Sequence, residues 1–155
     1  SNSLTKASYY EGSKTYPAER CVKILNPLSQ DLNVMRQTLL FNALEAVELN
    51  VNHRSADLKL FELGNCYFYN EEAAEEGKPL AKYSEKYCIG ITVTGQDAAP
   101  SWNCKAAEAS FYTLRAAVEK LLRRFGIDIY ALQCEALDCD LYGDAIVLKQ
   151  GPKEG

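Results

Sequence analysis

Apolar residues are spaced at helical intervals in two segments of the chain. From Asn33 to Asn50 they are mostly three or four positions apart, which predicts an amphipathic helix with Asp31 or Asn33 as its N-cap. From Ser110 to Phe125 the spacing is more regular, and it predicts a second helix that Ser110 caps and Gly126 ends. Two helices are therefore expected, separated by a stretch with a different pattern.

Shorter apolar runs predict the strands. The longest run, Leu58 to Tyr69, is apolar at both alternating positions, so we place this strand at the centre of a sheet with both faces covered. A charged loop over residues 70–82 connects it to a partner strand at Tyr87 to Thr94, which together make a long hairpin. The other predicted strands are Ser3–Thr5, Cys21–Leu25, Ile127–Leu132 and Ala145–Leu148, and the rest of residues 1–19 is expected to be loop.

The order of these elements indicates the fold class. Strands that are neighbours in sequence are joined as hairpins, so the expected architecture is α+β, with a mainly antiparallel sheet flanked by helices. The chain has 155 residues, which is the length of one domain, and we take residues 1–155 as a single unit.

Composition and charge narrow the possible functions. The hydrophobic fraction of 47% and the charged fraction of 25% are typical of a globular protein. The net charge of −4 argues against a free-standing nucleic-acid binder, and any contact with RNA should be local, since Arg123-Arg124 is the one basic pair. No run reaches the ~18 apolar residues of a membrane span, and no signal peptide is visible. The residues Ser1-Asn2 fit either the natural chain or a scar of tag removal.

The usual catalytic and metal-binding residues are sparse. The six cysteines form no C-x-x-C pair, so neither a zinc site nor another metal site is expected; we expect reduced thiols, with a Cys134–Cys139 disulfide left open. The single histidine, His53, is interpreted as an exposed loop residue rather than a general base. The loop glutamates, Glu71, Glu72, Glu75 and Glu76, are interpreted as a solvated surface rather than a metal site.

Arg36 and Glu62 are the two charged residues that the pattern does not explain. Arg36 lies at the start of the first predicted helix, where the helix dipole disfavours a cation. It is either an exposed helix residue or a fixed contact with another subunit or with an internal carboxylate. Glu62 lies within an apolar strand, where a carboxylate needs a partner. An ion pair between them would account for both, and we favour this structural role over a catalytic one.

Two blocks of residues resemble the β subunit of bacterial phenylalanyl-tRNA synthetases. The first contains Asn26-Pro27-Leu28-Ser29, Met35-Arg36-x-x-Leu39-Leu40, Asn50 and Leu60-Phe61-Glu62-Leu63-Gly64. The second contains Trp102-x-x-Lys105 and the helix from Ser110-Phe111-Tyr112 onward. The resemblance covers about residues 3–150, with departures from the family pattern at Phe41-Asn42, Asn65, Ser110 and Thr113.

The resemblance implies an enzyme of two α and two β subunits that attaches phenylalanine to its tRNA in the cytoplasm, with ATP and Mg²⁺. In this family the α subunit carries the active site, and the matching β domain is a class II synthetase-like core without catalytic residues that serves assembly and tRNA positioning. Catalytic class II cores hold ATP with an arginine on the strand that corresponds to residues 64–70, which contain no cation here. The third class II signature would follow Gly155, so the core is expected to be truncated at its C-terminus.

The resemblance therefore predicts structural or interface roles for four residues, Arg36, Glu62, Asn26 and Trp102, and no catalytic residue or metal ligand. Two other hypotheses stay open at this point. In the first, the chain is a stand-alone ATP-dependent amino-acid ligase related to class II synthetases, which would need a cationic ATP clamp. In the second, it is an unrelated α+β interaction module.

Overall fold

A computed structural model of the chain describes residues 2–27, 29–98, 102 and 107–151. These ranges contain two α-helices, α1 (Leu40–Asn52) and α2 (Phe111–Arg124). The strands are β1 (Leu4–Thr5), β2 (Val34–Met35), β3 (Leu58–Tyr69), β4 (Tyr83–Thr94), β5 (Gln96–Ala98), β6 (Ala107–Glu108), β7 (Gln133–Ala136) and β8 (Ile146–Lys149). The α+β class predicted from the sequence is confirmed.

The strands in the described ranges form four separate two-stranded antiparallel sheets, β1–β2, β3–β4, β5–β6 and β7–β8. The prediction of one continuous sheet is therefore wrong for these residues. The physical reason is the length of the strands, because six of the eight contain two to four residues and offer few backbone groups for a second partner. An isolated bridge between Lys23 and Val34 extends the first sheet.

The β3–β4 hairpin is the largest element, and its register runs from Leu58 opposite Thr94 to Tyr69 opposite Tyr83. The even-numbered face of β3 includes the buried residues Leu58 and Cys66. On the odd-numbered face, Phe61 is 77% exposed to solvent. The prediction that β3 lies centrally with both faces covered is thus wrong for the described residues. Apolar residues at both parities mark one buried and one exposed apolar face.

The main apolar cluster forms around Tyr10, which is completely buried, together with Cys21 and Val34. The ring of Phe41 in helix α1 packs edge-on against Tyr10, with 5.3 Å between the ring centroids. The segment before residue 20 was predicted to be loop after its first strand, but it folds into short 3-10 helices, Ala7–Tyr10 and Ala18–Arg20. This segment supplies the centre of the core rather than its surface.

Helix α1 starts at Leu40, seven residues later than predicted. Val34 and Leu39 are five positions apart, which breaks the helical spacing, and Val34 belongs to strand β2. The predicted caps have other roles: the Asn33 side chain accepts a hydrogen bond from the Ala7 amide at 2.9 Å, and Asp31 lies in a 3-10 turn. The Leu40 amide instead donates to the Thr38 hydroxyl at 3.2 Å.

Two predicted strands also differ from the structure. Residues 21–25 contribute only the bridge at Lys23, and Leu25 lies in a bend. Residues 129–131 form a 3-10 turn, because the Asp128 carboxylate accepts the Tyr130 amide hydrogen at 3.0 Å and competes with strand pairing. The hairpin strand at 58–69 and the second helix match their predicted positions closely.

Candidate functional site

Arg36 immediately follows strand β2 and lies between the N-terminal segment and strand β3. Its backbone amide donates to the Ser3 carbonyl at 3.0 Å, and its carbonyl accepts from the Tyr67 amide at 2.9 Å. The residue is only 3% exposed. The prediction that Arg36 lies at the start of helix α1 is wrong, because the helix begins at Leu40. The dipole of α1 therefore does not act on Arg36 as a first-turn residue. These contacts fix the position at which its side chain enters the protein.

The guanidinium of Arg36 forms the predicted ion pair with Glu62. Its Nη1 lies 2.5 Å from Glu62 Oε1. Nη1 also donates to the Asn2 carbonyl at 3.2 Å, and Nε donates to the Asn65 carbonyl at 3.0 Å. Because a buried charge is tolerated only when it is paired and hydrogen-bonded, these contacts explain why an arginine can lie at this depth. The arrangement joins the N-terminus, β2 and β3.

Gly64 lies on the same face of β3 as Glu62, two residues further along. A Cβ atom at position 64 would lie 2.1 Å from Nη2 of Arg36, which is far inside van der Waals contact. The absence of a side chain at Gly64 therefore provides the space through which the guanidinium reaches Glu62. This packing therefore requires a residue without a side chain two positions after Glu62 in the strand.

A cavity of about 590 Å³ lies beside the ion pair, between residues 37–46 and the even-numbered face of the hairpin. Its wall is mostly apolar, and no lysine, arginine or histidine of the described residues lines it. Asn42 contributes a buried Oδ1 atom that has no hydrogen-bond partner in the described part of the chain. Other lining residues are Thr38, Leu39, Cys66, Cys88 and Gly90. An apolar wall without cations is unsuited to a polyphosphate.

The remaining candidate residues lie at the surface. Asn26 is exposed in a bend, and Trp102 is 97% exposed. Their accessibility contrasts with the burial of Arg36, and their roles at an interface stay predictions. Two residues quoted with them in the sequence motifs, Leu28 and Lys105, lie outside the described residues.

Other residues considered for chemistry also lie at the surface. His53 is exposed at the C-terminal end of helix α1. The loop glutamates are spread over the hairpin connection, where Glu75 pairs with Lys78 at 2.5 Å. Within the ranges that the structure describes, no cluster of three His, Cys, Asp or Glu side chains fits a metal ion. No helix in the same ranges is long and apolar enough to cross a membrane.

Burial changes the protonation chemistry of the residues around the core. It raises the pKa of the Cys66 thiol to about 12 and also raises the pKa of Cys21. It raises the pKa of Tyr10 to about 12 in the same way. The five described cysteines are free thiols, and Cys104 lies outside the described residues. Neutral thiols of this kind behave as small apolar groups.

Gln37 is a buried polar residue that the sequence did not single out. Its side-chain nitrogen donates to the Pro17 carbonyl at 2.9 Å and to the Cys21 sulfur at 3.0 Å. Its backbone amide donates to the Tyr10 hydroxyl at 3.0 Å. The one signal for this role was the break in helical spacing before Leu39, which places residues 36–38 outside helix α1.

Comparison with known proteins identifies related chains. The family model described as "Phenylalanyl tRNA synthetase beta chain CLM domain" matches residues 1–142. The phenylalanine–tRNA ligase beta subunit of Bacteroides fragilis is 46% identical over 147 residues, or 95% of this chain and 18% of that subunit. The subunit of Bacteroides thetaiotaomicron is 46% identical over 145 residues, covering 94% of this chain and 18% of that subunit.

A third relative gives the same picture. The phenylalanine–tRNA ligase beta subunit of Porphyromonas gingivalis is 43% identical over 148 residues, which are 96% of this chain and 18% of that subunit. The chain therefore spans less than a fifth of the length of the curated relatives it matches. These matches cover the Arg36 site together with most of the fold.

Proposed function

The chain belongs to the phenylalanyl-tRNA synthetase β-chain family. We propose that residues 1–155 form part of a class II synthetase-like core that is catalytically inactive. In this proposal the core serves subunit assembly and tRNA positioning. The complete enzyme contains two α and two β subunits and attaches phenylalanine to its tRNA in the cytoplasm. ATP and Mg²⁺ act at the α subunit.

The burial of Arg36 against Glu62 is the observation that carries the non-catalytic assignment. A cation that binds ATP must reach a site open to the nucleotide, whereas this guanidinium is 3% exposed and is held by a carboxylate and two carbonyl groups. The cavity beside it has no lysine, arginine or histidine among its described lining residues. Both observations favour a structural use of Arg36.

The family membership rules out an unrelated α+β interaction module. The hypothesis of a stand-alone amino-acid ligase requires a cationic clamp for the phosphates of ATP. The mostly apolar cavity described above is the wrong chemistry for such a clamp. We therefore retain the assembly and positioning role as the proposal.

ATP–pyrophosphate exchange with phenylalanine tests the catalytic part of the proposal. The isolated chain is expected to give no exchange above a protein-free blank, because none of the described residues that line its cavity is a lysine, arginine or histidine that would hold the phosphates. The complete two-subunit enzyme, assayed in parallel, is the positive control. Phenylalanine-dependent exchange by the isolated chain would overturn the non-catalytic assignment.

Sedimentation velocity tests the assembly part, with the complete β subunit and its α partner. A defined complex is expected, and alanine substitutions at the exposed candidates Asn26 and Trp102 are expected to weaken it. The control is Tyr130→Ala, which also removes a side chain that is 77% exposed. Unchanged association of both candidate variants would remove these residues from the interface, whereas failure of the unsubstituted subunits to associate would overturn the assembly role itself.

A further inference from the structure

Helix α2 presents four cationic side chains to the solvent: Arg115, Lys120, Arg123 and Arg124, which we call the basic strip. One carboxylate lies on the helix, Glu119, and it pairs with Arg123 at 2.7 Å. The helix therefore carries a net charge of +3, while the whole chain carries −4. The rest of the chain accounts for −7, so positive charge is concentrated on this helix.

The basic strip lies opposite the apolar side of the helix. Leu114, Val118 and Leu121 are partly buried, whereas the four cations are exposed. Two aromatic residues near the ends of the helix are exposed: Tyr112, three positions before Arg115, to 76%, and Phe125, which follows Arg124 directly, to 67%. Exposed aromatic rings next to cations are suited to bases and phosphates, because rings stack on bases while the cations neutralise the backbone.

The helix dipole explains only part of this arrangement. It stabilises cations in the last turn, where Arg123 and Arg124 lie. Arg115 lies in the first half of the helix, where the dipole offers a cation no stabilisation. From Arg115 to Arg124 the strip extends for about 13 Å along the helix axis, which is long enough to follow several phosphates of one strand.

We infer that the basic strip binds the phosphate backbone of RNA, and specifically of the tRNA that the complete enzyme uses. The identity of the RNA rests on the proposed function, whereas the location of the contact rests on the charge of helix α2. The contact is electrostatic and independent of base sequence, so it positions the RNA without selecting it. Because positive charge is concentrated on helix α2, an acidic chain can still contact RNA locally.

The test measures tRNA affinity of the complete two-subunit enzyme at several salt concentrations. The variant combines Arg115→Gln, Lys120→Gln and Arg124→Gln; it keeps Arg123 with its partner Glu119, and glutamine preserves helix propensity. The control combines Lys14→Gln, Lys23→Gln and Lys78→Gln, three exposed lysines outside helix α2. Both variants lose the same charge, so a difference between them reports position rather than net charge.

The strip variant is expected to bind tRNA more weakly, with a plot of log affinity against log salt that is less steep by about 2 to 3. The control variant is expected to keep the slope of the unsubstituted enzyme. Equal slopes for the strip variant and the unsubstituted enzyme would overturn the inference, as would equal changes in both variants. If the strip variant instead weakens association with the α subunit and leaves tRNA affinity unchanged, the strip binds an acidic protein surface and the RNA inference is wrong. Absence of tRNA binding by the unsubstituted enzyme would overturn the proposed function itself.

Discussion

The guanidinium of Arg36 passes over Gly64, where an added Cβ atom would lie 2.1 Å from Nη2. The arginine cannot move aside freely, since its Nη1 is held by Glu62 at 2.5 Å and its Nε by the Asn65 carbonyl at 3.0 Å. A methyl group at position 64 must therefore displace either the strand or the ion pair. The two residues, 28 positions apart in sequence, constrain each other.

Substitution Gly64→Ala is expected to lower the free energy of unfolding by about 1–3 kcal/mol, the usual cost of overpacking a buried site. Urea denaturation of the purified chain measures this change. Gly143→Ala is the matched control, because an added Cβ there meets no atom within 4 Å, and its effect is expected to be much smaller. Equal stability of the two variants would show that the space over Gly64 is not required.

Replacing one member of the Arg36–Glu62 pair is expected to lower the free energy of unfolding much more than replacing both members. Arg36→Met removes the buried guanidinium that bonds the Glu62 carboxylate, and the free energy of unfolding should fall by about 3–5 kcal/mol. The double substitution Arg36→Met with Glu62→Leu should recover a large part of this loss. A double-mutant cycle by urea denaturation gives the coupling energy.

The exposed pair Lys149–Glu135 is the control for that cycle, since its side chains are 55% and 53% exposed. Its coupling energy is expected to stay below about 1 kcal/mol, because water and salt screen exposed charges. Similar coupling for both pairs would contradict the assignment of Arg36 and Glu62 as a buried structural pair.

Residues that are chemically out of place in their segment are the ones whose contacts can be predicted from the sequence. A carboxylate in an apolar strand needs a cation, so Glu62 predicted Arg36 as its partner, and the pair is present. Gly126 likewise predicted the end of helix α2, where its φ of 74° allows the Ile127 amide to bond the Leu122 carbonyl at 3.0 Å. In each case one residue type carried the information.

Contacts between residues that are distant in sequence decide the rest of the fold, and the sequence pattern does not predict them. Tyr10 appeared as one of several tyrosines in a polar segment, and nothing local indicates that it meets Phe41 and Gln37 in the core. The boundary of helix α1 at Leu40 depends on the pairing of β2 with β1, which involves residues about 30 positions apart. Periodicity measures local preference and contains no information about such pairing.

Helix α1 ends without the glycine that usually marks a helix end, and this offers a stabilising substitution. The Ser55 amide bonds the Asn50 carbonyl at 2.9 Å, and the Arg54 amide bonds the Val51 carbonyl at 2.8 Å, the pattern of a Schellman motif. Arg54 adopts a φ of 63° to close it. Arg54→Gly should raise the free energy of unfolding by about 0.5–1 kcal/mol, because glycine adopts this conformation without steric cost.

Thermal denaturation followed by circular dichroism measures the effect at Arg54. Arg20→Gly is a suitable control for backbone conformation, because Arg20 lies in a short 3-10 helix without a positive φ; glycine there adds flexibility and also removes the contact of the guanidinium with the Phe68 ring. The control is expected to lose stability. A loss of stability in Arg54→Gly as well would mean that the arginine side chain makes contacts outweighing its backbone strain.

Alkaline pH is expected to lower the free energy of unfolding because it favours ionisation of Tyr10. Burial raises the pKa of Tyr10 from 10.0 to about 12, so the folded state holds the neutral phenol while the unfolded chain ionises near pH 10. The contribution to stability is fully present below pH 10 and is lost as the pH rises through 12. The free energy of unfolding, measured by urea titration between pH 9 and 12, should fall across this window.

Tyr10→Phe removes the ionisable group and should make that fall shallower, although the variant starts from lower stability because the Gln37 amide loses its acceptor. Some dependence should remain, since the hydrogen bond to Glu45 raises the pKa of Tyr9 to about 12. Tyr130→Phe is the control, because its ring is 77% exposed. An identical slope for Tyr10→Phe and Tyr130→Phe would contradict the role of Tyr10.

The thiols should react in an order set by burial. The reactive species is the thiolate, and burial raises the pKa of Cys66 to about 12, so little thiolate is present at pH 8. Cys134 is exposed on strand β7, so iodoacetamide reaches it directly. Mass spectrometry of peptides taken at timed intervals should show Cys134 alkylated at least about a hundredfold faster than Cys66.

Labelling in concentrated urea is the control for this order, because unfolding removes the burial and should bring the two rates close together. Comparable rates in the folded protein would mean that Cys66 is accessible. The even-numbered face of the β3–β4 hairpin would then open in solution, and the cavity beside Arg36 with it, since Cys66 lines that cavity.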